Sequence, residues 1–129
     1  MANEQTETVR VKISNDNKPG FEFNSSRTVQ LDQTSTDPDV DDRKITVTVA
    51  ETDLVVDAAI GTPGVMLITN LEAKGGNFIT YGPKSGASMV ALFRLNPQET
   101  HKVRLASGVT LRWAADTANV DVQLQLAED

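Results

Sequence analysis

The feature that most constrains the fold is a strict alternation of apolar and polar residues that recurs along the chain. Its clearest example is the segment 120–126, which reads Val-Asp-Val-Gln-Leu-Gln-Leu. Successive side chains of a β-strand point to opposite faces, so a period of two produces one apolar and one polar face. The same period occurs in segments 8–14 and 44–50. The chain is therefore predicted to consist of half-buried strands.

Segments of strand length follow one another at a spacing of about ten residues, with glycine, proline, asparagine and aspartate between them, as in sandwiches and barrels. The predicted strands are 8–14, 21–23 and 28–32 (or one strand interrupted at 24–26), 44–50, 53–57, 65–71, 77–81, 89–95, 101–105, 109–113 and 120–126. The continuous apolar run at 65–71 indicates a strand covered on both faces. The pattern predicts an all-β fold with about eight to ten short strands, arranged as a sandwich or a barrel. Of these we expect an antiparallel β-sandwich of jelly-roll-like form.

The length of 129 residues and the 39% apolar content suit one domain with a substantial core. Residues 1–43 are the more polar part of the chain. They are rich in threonine, and longer loops separate their predicted strands. Residues 44–129 contain a larger share of apolar residues. We interpret residues 1–43 as a polar arm with the first strands, and residues 44–129 as the sandwich core of a single domain. Such an arm could extend onto a neighbouring copy.

The charge of the chain argues against several classes of partner. The net charge is −6 and no cluster of lysine and arginine offsets it, so nucleic acid is not an expected partner. The segment 1–8 is polar and acidic, which predicts neither a signal peptide nor a membrane span. The chain has no cysteine, which suits assembly in a reducing cytoplasm.

One acidic segment is a weak candidate for a metal site. Asp37, Asp39 and Asp41 alternate in a polar loop, and carboxylate oxygens are the ligands that Ca²⁺ prefers. The glycine and the distal glutamate of an EF-hand loop are missing, so a solvated loop is the better interpretation. No metal and no cofactor are predicted.

Catalytic patterns are also weak. His101 is the single histidine and lies in a polar segment, where an exposed surface position is expected. The segment 82–86 has Pro83 before Lys84, where a phosphate-binding loop needs a glycine that donates its backbone N–H. Ser88 follows Gly86 but lacks the second glycine of a nucleophile elbow, since Val90 stands in its place. The chain is therefore predicted not to be an enzyme.

Four aromatic residues are candidates for contacts with a partner. Phe21 and Phe23 lie in the arm, and Phe93 and Trp113 lie in apolar segments that read as strands. Aromatic side chains are common anchors of protein interfaces. Each of the four could instead be a core residue, and core packing is the stronger alternative for Phe93.

A series of short phrases in the second part of the chain resembles a known group of proteins. The phrases are Gly61-Thr-Pro-Gly64, Leu67-Ile-Thr-Asn-Leu-Glu-Ala73, Asn77-Phe-Ile-Thr-Tyr-Gly-Pro83, Ser85-Gly-Ala-Ser-Met-Val90, Arg94-Leu-Asn-Pro-Gln-Glu99, Arg104-Leu-Ala-Ser-Gly-Val-Thr-Leu-Arg112 and Ala114-Ala-Asp-Thr-Ala118. Over about residues 44–129 the chain resembles small virion proteins of tailed bacteriophages, of the head-decoration or minor structural type. The resemblance implies a β-sandwich that binds assembled capsid or tail subunits and often forms trimers.

The expected function is therefore that of a non-enzymatic virion structural protein. We expect a capsid decoration or cement protein, assembled in the host bacterial cytoplasm, that self-associates, with a trimer favoured. It would bind the major capsid protein or other virion subunits and so stabilise the assembled shell. The alternative is a carbohydrate-binding β-sandwich or a tail- or fibre-associated adhesin, which needs exposed aromatic rings and, in one form, calcium at the three aspartates.

Overall fold

The computed structural model describes residues 4–14, 22–32, 40–56, 60 and 62–128. In these ranges the regular elements are all β-strands, and every strand pair is antiparallel. The prediction of an antiparallel all-β fold is confirmed. No helix in the described ranges has the length and apolar character required to cross a membrane.

The strands are numbered in chain order. They are β1 (Glu4–Ser14), β2 (Glu22–Asp32), β3 (Val40–Val47), β4 (Thr52–Asp53), β5 (Pro63–Asn70), β6 (Ile79–Ser85), β7 (Ser88–Met89), β8 (Phe93–Leu95), β9 (Thr100–Arg104), β10 (Leu111–Ala115) and β11 (Val120–Glu128). They fall into two compact units, Met1–Asp37 and Pro38–Asp129.

The first unit is a β-hairpin. Strands β1 and β2 pair along their full length, from Glu4 opposite Asp32 to Ser14 opposite Glu22. Strand β2 is continuous through residues 24–26, so both predicted options, two short strands and one strand interrupted at 24–26, placed a break where the structure has none. Each strand has 11 residues, which is long for a hairpin that forms a sheet of its own.

The second unit contains the sandwich. One sheet has four strands in the order β3-β11-β5-β9, and the other has the order β4-β10-β6-β7 with β8 also paired to β6. These nine strands lie within the predicted range of eight to ten. The antiparallel β-sandwich is thereby established, while the jelly-roll connectivity stays a prediction.

Strand β11 contains the alternating segment 120–126, and it is a central strand, paired with β3 and β5. Its apolar residues are fully buried, namely Val120, Val122, Leu124 and Leu126, each at 0% exposure. The residues between them are only half-buried on the outer face. Two of these, Gln123 and Gln125, donate side-chain hydrogen bonds to Asp42 of β3. The predicted division of this strand into two faces is confirmed.

Both sheets contribute to one core, which is what makes the second unit a sandwich. The core residues are Val47, Leu54, Met66, Ile68, Ile79, Tyr81, Leu95, Trp113, Ala115, Val120, Val122, Leu124 and Leu126. Full burial of each large apolar side chain contributes about 1.5–3 kcal/mol relative to exposure, and this burial is the main stabilising term.

Several strand bounds differ from the prediction, and three of these differences concern the strands β5 to β8. The segment 89–95 is not one strand but divides into β7 and β8, with residues 90–92 between them. Residues 82–85, which lie outside the predicted strands, belong to β6. Strand β5 is less covered than its apolar run suggested, because Leu67 is 37% exposed between buried neighbours.

Candidate functional site

The most distinctive polar feature of the sandwich is a hydrogen bond between its two sheets. The hydroxyl of Tyr81 in β6 lies 2.8 Å from Nδ1 of His101 in β9, and the two rings are 5.8 Å apart between centroids. Tyr81 is 1% exposed, and burial raises the pKa of its hydroxyl to about 12. The phenol therefore stays neutral at physiological pH and links the sheets as a hydrogen-bonding group.

His101 points toward the core side of β9. Its register partner in β5 is Ile68, which is fully buried, so these two residues share one face of the sheet. The histidine side chain is 28% exposed. The expectation of an exposed surface histidine is wrong, because the strand phase turns the ring inward, where it meets the buried hydroxyl.

Glu99 extends this cluster to the surface. Its Oε2 lies 3.9 Å from Nε2 of His101 and accepts a 2.8 Å hydrogen bond from the backbone N–H of Asn96. Hydrogen bonds from Asn96, and to a smaller extent the positive charges of His101 and Arg94, lower the pKa of the Glu99 carboxyl. The carboxylate is thus poised to pair with the imidazole when that ring is protonated.

A buried asparagine holds this end of the sandwich together. Asn70 is 1% exposed, and its amide nitrogen donates to the backbone oxygens of Asn77 at 3.0 Å and Leu95 at 3.2 Å. Its side-chain oxygen accepts the backbone N–H of Glu72 at 2.9 Å. Its backbone also bonds to Gln98 and Glu99 in the turn before β9. This network fixes the start of β9 and therefore the position of His101.

Next to Tyr81 lies an exposed apolar segment, Val90–Phe93, which we call the apolar segment. Val90 is 49%, Leu92 61% and Phe93 40% exposed. Phe93 is the register partner of Tyr81, and their ring centroids are 5.1 Å apart at 31°. The tyrosine, which is itself fixed by His101, therefore supports the ring that is offered to solvent.

Gly82 lets the apolar segment cross close to β6. A Cβ built on Gly82 would lie 1.9 Å from the backbone oxygen of Val90. The backbone N–H groups of Val90 and Leu92 donate to the oxygens of Pro83 and Tyr81, at 2.9 Å and 3.2 Å. The absence of a side chain at Gly82 is thus required for this path of the chain.

The aromatic residues named from sequence fall into three groups. Trp113 is 3% exposed and belongs to the core, so it does not present its ring to a partner. Phe93, in contrast to Trp113, is exposed, although core packing was the stronger alternative for it. Its role as an interface anchor stays a prediction. Phe23 lies in β2, where its side chain is outside the described residues, and Phe21 lies outside them altogether.

The candidate metal ligands are not assembled by any described contact. Asp37 and Asp39 lie outside the described residues, and Asp41 lies in β3 opposite Leu126 instead of in a loop. The described part of the chain holds no group of three or more potential metal ligands. Calcium binding at the three aspartates stays a hypothesis.

A charged network on the other flank of β6 joins β4, β6 and β10. Lys84 Nζ lies 2.8 Å from Asp53 Oδ2, and Arg112 pairs with Glu51 and Asp53 at 3.4 Å and 3.0 Å. Arg112 Nε and Asp53 Oδ1 form an ion pair but not a hydrogen bond, because the N–H group does not point at the oxygen. Since each charge in the network faces an opposite one, we assign it to the packing of the sheet.

A small cavity of about 100 Å³ has neither Tyr81 nor His101 in its walls. Its walls include Leu54, Val56, Leu105 and Leu111, and it is smaller than the roughly 300 Å³ at which ligand pockets begin. The aromatic and polar cluster around Tyr81, together with the apolar segment, is therefore the stronger candidate site.

Sequence reasoning missed the Tyr81–His101 pair. The alternation in segment 101–105 could have revealed it. In that segment His101 lies on the same side as Val103 and Leu105, which is the apolar side of the predicted strand. No protein-family model, no curated protein and no solved structure matches the chain.

Proposed function

We propose that the chain is a non-enzymatic virion structural protein, a capsid decoration protein that self-associates and binds assembled shell subunits. The observation that carries the proposal is the apolar segment, in which three large apolar residues are exposed within four positions of the chain where β7 leads into β8. Exposed apolar patches of soluble proteins mark surfaces that contact other macromolecules. The resemblance of residues 44–129 to small bacteriophage virion proteins supports the same assignment.

The physical logic is that of a protein which binds repeated sites on a lattice. A self-associated protein presents several identical contacts, and its second and third contacts form at high effective concentration. Because a decoration protein binds the assembled shell and not the free subunits, its binding free energy stabilises the shell.

The test is co-sedimentation with shells assembled from the major capsid protein encoded in the same genome. We expect the protein to self-associate, and to sediment with shells but not with unassembled subunits. Leu92→Ser should lower shell binding about tenfold or more, since buried interface anchors commonly contribute 2 kcal/mol or more. Val55→Ser is the matched control, because Val55 is 65% exposed, like Leu92, but lies outside the apolar segment. A strictly monomeric protein that never sediments with shells would overturn the proposal.

A carbohydrate-binding module is the second candidate, favoured by the exposed ring of Phe93 beside the polar Tyr81–His101 pair. Sugars stack on such rings and hydrogen-bond to polar groups at their edge. A glycan array probed with and without a chelator decides this candidate. Binding that is lost in Phe93→Ala would support it, and no binding under either condition would exclude it.

A further inference from the structure

The hydrogen bond between the two sheets joins the single tyrosine of the chain to its single histidine. Among the described residues, the hydroxyl of Tyr81 has one hydrogen-bond partner, Nδ1 of His101 at 2.8 Å. Tyr81 is 1% exposed, so water does not replace that partner. The hydroxyl therefore donates its hydrogen to Nδ1, and the neutral imidazole carries its own hydrogen on Nε2.

Protonation of the imidazole sets two donors against each other. An imidazolium has an N–H group at both ring nitrogens, so Nδ1 can no longer accept the hydrogen of the hydroxyl. If the hydroxyl oxygen accepted from Nδ1 instead, its own hydrogen would turn into the core cluster, whose other members are all hydrophobic. A buried donor without an acceptor is unfavourable. The contact between Tyr81 and His101 therefore fits only the neutral imidazole.

The protonated imidazole has a second partner close by. Oε2 of Glu99 lies 3.9 Å from Nε2 of His101, which is within the range of an ion pair. The side chains are 46% and 28% exposed, so the ring can turn toward the carboxylate and the solvent. Hydrogen bonds from Asn96 lower the pKa of the Glu99 carboxyl, so it keeps its charge at a pH at which histidine is protonated.

Glu99 is the charge that faces the ring. The other charged residues on the strands that carry or contact the imidazole are Lys102 and Arg104 in β9, Lys84 in β6 and Arg94 in β8, and β5 contains none. Lys102 and Arg104 alternate with His101 and so occupy the opposite face of β9. Lys84 pairs with Asp53 at 2.8 Å, and Arg94 alternates with Phe93 and so faces away from the core.

Tyr81 connects this pair to the apolar segment. Its ring lies 5.1 Å from the ring of Phe93 between centroids, and its backbone oxygen accepts the N–H of Leu92 at 3.2 Å. On the other side of β6, the register partner of Tyr81 is the core residue Trp113. When the hydroxyl loses its partner, the tyrosine ring is no longer fixed at its outer end. It then holds Phe93 and Leu92 less firmly.

We propose that His101 is a pH-dependent switch that controls the apolar segment. When the imidazole is neutral, it accepts the hydrogen of the Tyr81 hydroxyl and joins the two sheets at this edge. When it is protonated, it exchanges Tyr81 for Glu99, and the apolar segment opens more often. Histidine changes its charge between about pH 5 and pH 8, so the switch operates in that range. The switch is a property of the isolated protein and does not depend on what the apolar segment binds.

NMR of the wild-type protein tests the switch directly, because the signals of one histidine and one tyrosine are unambiguous. At about pH 8 the imidazole nitrogens should show the neutral Nε2–H form, with a nuclear Overhauser effect between the two rings. At about pH 5 both nitrogens should be protonated, and this effect should fall several-fold. An undiminished effect with a protonated imidazole would overturn the proposal, and so would an Nδ1–H form at the higher pH.

Amide hydrogen exchange measures the response of the apolar segment. The protection factor, which corrects for the intrinsic pH dependence of exchange, should be about tenfold lower for the Leu92 amide at about pH 5 than at about pH 8. The amide of Lys84, also in contact with β6 but bonded to the Thr110 oxygen at 2.9 Å, is the reference and should keep its protection factor. Unchanged protection of Leu92 in a protein whose His101 is protonated would overturn the proposal.

Two variants assign the effect to the pair. Tyr81→Phe keeps the ring and removes the hydroxyl, so its Leu92 amide should be weakly protected at both pH values. Glu99→Gln keeps an oxygen that accepts the Asn96 N–H but removes the charge that attracts the imidazolium, so the loss of protection on acidification should be smaller. The emission of Trp113, the single tryptophan and a core residue, checks that each sandwich is folded. A folded Tyr81→Phe protein with the full pH dependence of the wild type would overturn the proposal, because other groups would then cause it.

Discussion

The hydroxyl of Tyr81 lies 2.8 Å from Nδ1 of His101, and this hydrogen bond joins β6 of one sheet to β9, an edge strand of the other. The ring of Tyr81 also contacts the ring of Phe93, which is 40% exposed. The stability of this end of the sandwich and the position of the apolar segment are therefore linked through one buried hydroxyl.

Tyr81→Phe removes that hydrogen bond and keeps the ring. We expect a loss of about 1 kcal/mol in the free energy of unfolding, the usual net contribution of such a bond. Urea unfolding followed by the emission of Trp113 measures the change. Thr69→Val is the control, because the Thr69–Thr100 hydroxyl pair at 2.8 Å is exposed and water replaces it. An equal loss in both variants would contradict the special role of the buried pair.

Asn70→Leu tests the buried asparagine. The substitution leaves the backbone oxygens of Asn77 and Leu95 and the N–H of Glu72 without their present partner. Each buried group that loses its partner costs about 1–3 kcal/mol, so the variant should be destabilised by more than about 2 kcal/mol. Asn119→Leu, at an exposed position, should change stability by less than about 0.5 kcal/mol. Similar unfolding midpoints for the two variants would show that the network contributes little.

Gly82→Ala tests the close crossing of β6 and the apolar segment. Because the added Cβ would meet the Val90 oxygen at 1.9 Å, the segment must move. We expect a cost above the roughly 1–3 kcal/mol of ordinary overpacking, together with weaker self-association. Gly86→Ala is the comparison: Gly86 has a φ of 60° and open space around its Cβ position, so it carries backbone strain without a clash. Thermal unfolding and sedimentation of both variants distinguish the effect of a steric clash from the effect of backbone strain.

The pH dependence of stability follows from carboxylates with lowered pKa. A hydrogen bond from Lys84 lowers the pKa of Asp53, and one from Lys44 lowers that of Asp121, both from an ordinary value of 3.8. A lowered folded-state pKa gives stability that is present above the unfolded value and is lost as pH falls through the folded value. The unfolding midpoint should therefore be flat near neutral pH and should decrease below about pH 4.

Asp53→Asn is the control for this pH dependence. The variant should be less stable than the wild type at neutral pH. It should also lose less stability on acidification, since it has no carboxylate at position 53 to protonate. Both pairs are exposed, so added salt should diminish the effect. An acid transition of the same depth in the variant and the wild type would contradict the assignment to Asp53.

Strand pattern and turn residues were sufficient to predict the fold class. The alternation at 120–126 predicts which residues of β11 are buried, because the two faces of a strand are set by backbone geometry alone. The resemblance to virion proteins is likewise a property of the sequence, and the function it implies stays a proposal.

The candidate site was harder to predict from the sequence than the fold class. Phe93 and Trp113 are both aromatic residues in apolar segments, and their sequence context does not separate them. Only the pairing of β8 at the sheet edge leaves Phe93 40% exposed, while β10 lies inside the sheet and buries Trp113. Exposure depends on strand order, and strand order joins residues that are distant in the chain.

The sequence by itself therefore determined that this chain folds into strands, several of them with one apolar and one polar face, since period two is a local property that any strand expresses. Only the tertiary structure decided which strands are neighbours. That decision placed the hydroxyl of Tyr81 against the ring of His101 and set Phe93 beside it at an open edge. This arrangement requires that β6 pairs with β8 and that the two sheets pack face to face. These contacts are selected by the packing energy of the whole core.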